Sequence, residues 1–154
     1  MIIYYLDSSA ALKRYMDEIG SAWLRATVDA SLSSVIFVSR LLVVEITSAL
    51  NRRLREGTLT TADYTLTQNA FRGDCLNEYK IIPLDEAISD RACTLLERHP
   101  LRAYDAIQLA SALAAQQFLG ERDYPALTFL CADDRLNIAA ASEGLAVDNP
   151  NHHP

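Results

Sequence analysis

The strongest constraint on the fold lies near the start of the chain, where Ile2 to Leu6 (IIYYL) form an unbroken apolar run that stops at Asp7, with a helical pattern beginning two residues later. A strand whose successive side chains are all apolar has both faces buried, unlike the alternating strand of a half-solvated antiparallel sheet. Such a strand followed at once by a helix belongs in a parallel sheet covered by helices, because each parallel crossover needs a connection long enough to return.

The rest of the chain repeats this arrangement. Ser9 to Met16 reads as a helix, and Ser21 to Ser31 as another, with Trp23, Ala26, Val28 and Ala30 among polar residues. Val35 to Val38 is β-branched and aromatic and reads as a second strand. Leu41 to Arg55 carries one apolar stripe, Leu42, Ile46, Ala49, Leu50 and Leu54, with Gly57 where a glycine cap would end the helix. Thr60 and Asp63 resemble a capping box that opens a further helix toward Leu76, so these two helices should pair as a hairpin. Strands are expected at Ile81–Leu84, Leu127–Ala132 and Leu145–Val147, and helices at Glu86–Glu97, Tyr104–Leu119 and Leu136–Glu143. The fold class is α/β: a three-layer α/β/α sandwich on a mainly parallel sheet, plus the helical hairpin.

The 154 residues suit one domain, taken as residues 1–150 with a short polar tail at 151–154. The apolar runs are too short for a membrane span, and no basic segment precedes one as in a signal peptide. Cys75, Cys93 and Cys131 are odd in number and lack CxxC spacing, so they are expected to be buried thiols of a reducing, cytoplasmic protein. Together with His99, His152 and His153 they form no zinc pattern. The net charge of −6 argues against a polyanionic partner. Residues 1–57 nevertheless carry seven Lys and Arg against six acids, among them Lys13, Arg14, Arg52, Arg53 and Arg55, which allows a local basic rim.

The acids carry the functional signal. In open parallel sheets ligands bind beyond the carboxyl ends of the strands. Asp7 ends the first strand, Asp133 and Asp134 follow the fourth, and Glu45 sits early in the helix after the second, within reach of the same rim. Asp105 opens the Ala-rich helix in YDAIQLASAL. Asp7, Asp105 and Asp133 each have a second reading as helix caps, and Arg40 or Arg52 is available to neutralise Glu45. Asp74, Asp85, Asp90 and Asp123 read as ordinary surface or capping acids. Four carboxylates on one rim raise one another's pKa unless a cation neutralises them. Oxygen ligands without His or Cys select a hard ion, Mg²⁺ or Mn²⁺, of the kind that serves phosphoryl chemistry.

Four stretches, YYLDSSAALKRY (Tyr4–Tyr15), SRLLVVEITSAL around Glu45, LRAYDAIQLASAL around Asp105 and FLCADDRLNIAAASEGL around Asp133, occur in the order found in a known family. Through them the chain resembles the PIN-domain ribonucleases and, among these, the VapC-type toxins of type II toxin–antitoxin pairs. Matched position by position, the resemblance implies that Asp7, Glu45, Asp105 and Asp133 are catalytic. Asp7, Asp105 and Asp133 would hold the metal, with Glu45 and Asp134 as further candidates, and Ser9 would support the site. It also implies Mg²⁺-dependent cleavage of RNA, with Mn²⁺ as a substitute, a homodimer, and a small VapB-like antitoxin whose C-terminal segment lies in the groove. Arg14, Arg52 and Arg53 are candidates to hold RNA phosphates, because arginine offers paired donors. Tyr15 and Tyr104 are the nearest aromatic candidates for contact with bases. The helical hairpin, with Leu66, Ala70 and Phe71 on its surface, would suit a dimer interface.

Other readings are a non-catalytic PIN-fold interaction or RNA-binding domain, and a housekeeping PIN nuclease without an antitoxin. A haloacid dehalogenase-type phosphohydrolase would need a second Asp two residues after Asp7, where this chain has Ser9. A phosphorelay receiver would need adjacent acids after the first strand, and here acids are doubled only at Asp133 and Asp134.

Overall fold

A computed structural model describes residues 1–29 and 33–154. Strand β1 (Ile2–Leu6) leads into α1 (Ser8–Tyr15) and α2 (Ser21–Thr27), β2 (Ser34–Ser39) into α3 (Arg40–Glu56) and α4 (Thr61–Asn77), and β3 (Lys80–Ile82) into α5 (Glu86–Arg98) and α6 (Ala103–Gly120). Strand β4 (Thr128–Leu130), α7 (Asp134–Ser142) and β5 (Ala146–Asp148) complete the sheet, and a 3₁₀ turn (Pro150–His152) follows. The expected helix at 21–31 ends at Thr27, and its residues Ala30 and Ser31 lie outside the described residues.

All four strand pairings are parallel, in the order β3-β2-β1-β4-β5. Alternate side chains feed two cores. Ile3, Tyr5, Phe37 and Phe129 pack on one side with Leu95 of α5, Leu109 of α6 and Leu136 of α7. Leu6, Ile36, Val38 and Leu130 pack on the other with Ala10 of α1, Leu24 of α2, Leu42 and Leu50 of α3, and Phe71 of α4. The three layers and the parallel sheet follow the expectation from the apolar runs. At the end of α3, Gly57 takes φ +75° and donates back to Arg53 and Leu54, the left-handed cap that glycine adopts without steric cost.

Three expectations are corrected. Phe71 is buried at 1% exposure and meets Tyr15 edge-on, because α4 turns this ring toward α1; of the three residues expected on the hairpin surface, Leu66 and Ala70 are exposed. Of the cysteines only Cys131 is buried, whereas Cys75 is half-buried and Cys93 exposed, since α5 presents Cys93 on its solvent side. Asp74 accepts a hydrogen bond from Tyr15 at 2.6 Å and lies 3.8 Å from Arg14, so it belongs to a partly buried network rather than the open surface.

The chain runs outward from β1 through β2 to β3, then returns to place β4 on the other side of β1. The reversal of strand order therefore falls between β1 and β4, the position beyond whose carboxyl ends open α/β sheets form their binding crevice. No helix among the described residues is long and apolar enough to cross a membrane.

Candidate active site

Asp7 stands at this crevice. Its backbone N–H donates to Leu130 of β4 at 3.2 Å, and its carboxylate caps α1 by accepting from Ala10 N at 2.9 Å. Capping and site geometry are thus compatible duties of one side chain. The Ser9 hydroxyl lies 2.7 and 3.0 Å from the two carboxylate oxygens, and the Cys131 thiol donates to Oδ2 at 3.1 Å. Asp7 is only 4% exposed, and burial outweighs these hydrogen bonds, pushing its carboxyl up from 3.8 to about 6. Ser9 also accepts from Ala132 N at 2.9 Å, and Cys131 Sγ accepts from Asp133 N at 3.3 Å. The loop after β4 is in this way tied to the start of α1.

Glu45, in the second turn of α3, is gripped from two sides. Ser8 donates to one oxygen at 2.9 Å, and Gln108 of α6 donates to the other at 2.7 Å. Gln108 is itself held by Tyr5, which donates to its Oε1 at 2.7 Å from the middle of the core. Burial raises the Glu45 carboxyl above its ordinary value despite both donors.

Asp105 lies in the first turn of α6 and accepts from Arg102 Nε at 3.2 Å. Its expected cap role is corrected: the N-cap is Arg102, which makes no side-chain cap bond, and Asp105 sits three residues further along. Asp133 does cap its helix, accepting from Arg135 N at 2.9 Å. Asp105, Asp133 and Arg102 line one cavity of about 140 Å³. Asp134 is two-thirds exposed and turned to the tail, where Asn149 donates to it at 2.6 Å and His152 lies 3.4 Å away. Of the doubled acids, Asp133 is therefore the one that faces the crevice.

The acids act on one another electrostatically: Glu45 raises Asp7, and Asp105 raises Glu45. Each is nonetheless turned to a donor of the protein, and among the described residues no three His, Cys, Asp or Glu side chains form a ready-made metal cage. Oxygen donors of this kind would suit a hard divalent cation. The four acids offer oxygen, burial keeps the nearby Cys131 thiol protonated by raising its pKa, and His99 and His153 are committed to Glu143 and Asp148.

Beside the acids runs a groove of about 510 Å³ whose lining includes Ser8, Ser9, Glu45, Arg52, Arg102 and Tyr104. Of the arginines expected to hold phosphate, only Arg52 reaches it. Arg14 Nη2 contacts both oxygens of Glu78 at 2.9 and 2.8 Å while its Nη1 donates to Tyr79, and Arg53 is paired with Glu18. Both guanidiniums are taken by carboxylates close to them in space but distant in sequence. Tyr15 is packed in the Asp74 and Tyr79 network, whereas Tyr104 stands 63% exposed at the groove.

Sequence reasoning missed Ser8, Gln108, Cys131 and Arg102. A signal existed for Gln108, a polar residue three after Asp105 in an otherwise apolar, small-residue helix face, where an amide needs a buried partner. Cys131 gave none, since a lone apolar-context cysteine reads as core.

A family model described as PIN domain matches residues 4–119, a span that includes Asp7, Glu45 and Asp105 and ends before Asp133. The chain is 31% identical over 150 residues to Ribonuclease VapC45 of Mycobacterium tuberculosis (strain CDC 1551 / Oshkosh), covering 96% of this chain and 95% of the relative. It is also similar to a solved structure of VapBC2 from Rickettsia felis bound to a promoter DNA fragment, with a TM-score of 0.64 at 11% identity over 96% of this chain and 98% of that one. A toxin–antitoxin complex from Klebsiella pneumoniae gives a TM-score of 0.57 at 13% identity, covering 96% and 97%. At such identities the structural likeness speaks for the fold alone.

Proposed function

The chain belongs to the PIN-domain family, and on that premise we propose that it is a Mg²⁺-dependent endoribonuclease that acts in the cytoplasm as the toxin of a toxin–antitoxin pair. The observation that carries this reading is the pairwise proximity of the acids: Glu45 is near enough to Asp7 to raise its pKa, Asp105 does the same to Glu45, and Asp105 and Asp133 line one cavity. The ribonuclease named among its relatives supports the activity, and the toxin–antitoxin complexes among its structural neighbours support the partner.

In this reading Asp7, Asp105 and Asp133 hold the ion, and Glu45 contributes from the rim. When bound, Mg²⁺ supplies activation of the attacking water and neutralisation of charge on the phosphate. The chain's own residues do the rest. Ser9, Ala10 N and Cys131 fix the orientation of Asp7. Ser8 and Gln108 hold Glu45 at the edge of the groove, where its raised pKa suits a group that accepts a proton from water. Arg52 provides positive charge along the groove for the RNA backbone. The antitoxin's segment would compete with RNA for the same groove, and a homodimer would use the exposed Leu66 and Ala70 face of the hairpin.

The test is cleavage of RNA by the purified protein with Mg²⁺ and with chelator. Cleavage should require the ion and fall by about 100-fold or more in Asp7→Asn and Asp105→Asn. Metal-dependent cleavage that survives either substitution would overturn the site assignment. Expression should also arrest growth, and co-expression of a small protein encoded beside it should relieve the arrest; an active nuclease without either effect would be a housekeeping enzyme.

A further inference from the structure

An acid cluster repels the substrate proposed for it. RNA brings a phosphate charge to Asp7, Glu45, Asp105 and Asp133, and one divalent ion offsets only part of their charge, so a cation of the protein where the groove meets the acids would favour binding. Two arginines line the groove, Arg52 and Arg102; the adjoining cavity that contains Asp105 and Asp133 is lined by Arg102 and Arg135, so Arg102 is the arginine that belongs to both. Its side chain is 75% exposed and is held by a single bond, Nε to Asp105 Oδ2 at 3.2 Å. Both terminal nitrogens lack a hydrogen-bond partner among the described residues, in contrast to Arg14, whose Nη1 donates to Tyr79 and whose Nη2 reaches both oxygens of Glu78. Arg102 is anchored at its Nε with its fork open, a geometry that matches two oxygens of a phosphate. It also sits at the N-terminus of the 18-residue α6, whose free N–H groups add to the positive potential there.

We propose that Arg102 binds the substrate phosphate nearest the acids, using the guanidinium fork left open by its contact with Asp105. The inference rests on the reading of the chain as a ribonuclease and adds to it a residue outside the carboxylate set. It also implies that Arg102 competes with a divalent cation for Asp105.

The experiment measures binding of a fluorescent single-stranded RNA oligonucleotide over a range of salt, with Mn²⁺ binding by calorimetry as a separate readout. Arg102→Ala should lose about tenfold or more in RNA affinity, by removal of a charge-assisted contact. It should reduce the slope of log K against log salt by about 0.7, one phosphate contact on a single strand. Its Mn²⁺ affinity should be equal to or tighter than that of the unaltered protein. Arg102→Lys should restore the slope but only part of the affinity, because lysine lacks the fork. Unchanged slope and affinity in Arg102→Ala, alongside an unaltered protein that binds and cuts RNA, would overturn the assignment of Arg102 alone. Weaker Mn²⁺ binding in Arg102→Ala would overturn it too, making the residue a support for Asp105. An unaltered protein that neither binds nor cuts RNA would overturn both this assignment and the nuclease reading.

Discussion

Gln108 joins Glu45 to the core: its amide nitrogen donates to Glu45 at 2.7 Å while its oxygen accepts from the buried Tyr5 hydroxyl at 2.7 Å. Gln108 is 1% exposed and Tyr5 fully buried, so neither can turn to water when its partner is lost. Gln108→Leu should cost about 1–3 kcal/mol by removing the acceptor of the Tyr5 hydroxyl and a donor of Glu45, and Tyr5→Phe should cost a similar amount by stranding the amide oxygen. The double substitution strands neither group on the other's account, so its cost should fall short of the sum by about 1 kcal/mol or more. Urea unfolding of the four proteins decides this, and strictly additive costs would mean that the two side chains are not coupled.

Asp7 makes the metal-free protein pH-sensitive in an unusual direction. Its folded-state pKa of about 6 lies above the ordinary 3.8, so the folded state holds the proton more tightly than the unfolded chain. Its contribution is therefore most favourable below about pH 4, falls as pH rises through about 6, and is level above. The difference of about 2 pH units corresponds to about 3 kcal/mol. In the presence of chelator, stability should decline over this window, and Asp7→Asn, which keeps an oxygen for the α1 cap, should be more stable than the parent at pH 7.5 and show a smaller decline. Equal stability of the two proteins at pH 7.5 would contradict the buried, unneutralised carboxylate.

The contrast between the acids and their partners shows what the sequence made legible. Asp7 and Asp133 were readable because a short apolar run ends and a helix begins at each, which fixes both the strand end and the rim it faces. Glu45 and Asp105 were placed by their position near the start of their helices and by the motifs that carry the family resemblance. Their partners did not, because hydrogen bonds such as Gln108 to Glu45, 63 residues apart, and Cys131 to Asp7, 124 apart, exist only once the sheet order is set. The same non-locality misassigned Arg14 and Arg53, whose partners Glu78 and Glu18 leave no periodic signal. Phe71 was misplaced for a related reason: α4 has few apolar residues, and only packing against Tyr15 shows which face turns inward.

The three thiols should react in the order of their exposure. Cys93 is exposed and should be labelled fastest by a neutral alkylating reagent, and half-buried Cys75 should react more slowly. Cys131 is buried, donates to Asp7 and has its pKa raised foremost by burial, so it should react only through unfolding. Mass spectrometry of alkylated peptides over time in native buffer and in urea measures this. Rapid native labelling of Cys131 would show that the crevice opens far enough to expose the back of Asp7.

The last few residues brace the crevice, and Gly20 is where they bear on the fold. Pro150 packs so closely on Gly20, φ +81°, that an added Cβ would lie 2.0 Å from the Pro150 carbonyl oxygen. From this contact the tail reaches two ways. His153 stacks on Trp23 with centroids 4.0 Å apart, while Asn149 binds Asp134 at 2.6 Å and Asn151 binds the Ala132 carbonyl at 3.3 Å, on either side of Asp133. The polar tail expected at 151–154 is thus docked and holds the loop that presents Asp133. Gly57→Ala makes a useful comparison, since φ is also positive there but the space is open; it should cost about 1–2 kcal/mol, the left-handed backbone penalty alone. Gly20→Ala meets backbone that cannot rotate away, so it should cost more than Gly57→Ala and displace the tail. Trp23 is the sole tryptophan, so its emission reports the docking of His153 directly. Emission of the native protein should change in Gly20→Ala and in a chain truncated after Asn149, and stay constant in Gly57→Ala. If Gly20→Ala costs no more than Gly57→Ala and leaves Trp23 emission unchanged, the tail does not bear on Gly20 and the bracing of Asp133 through it fails.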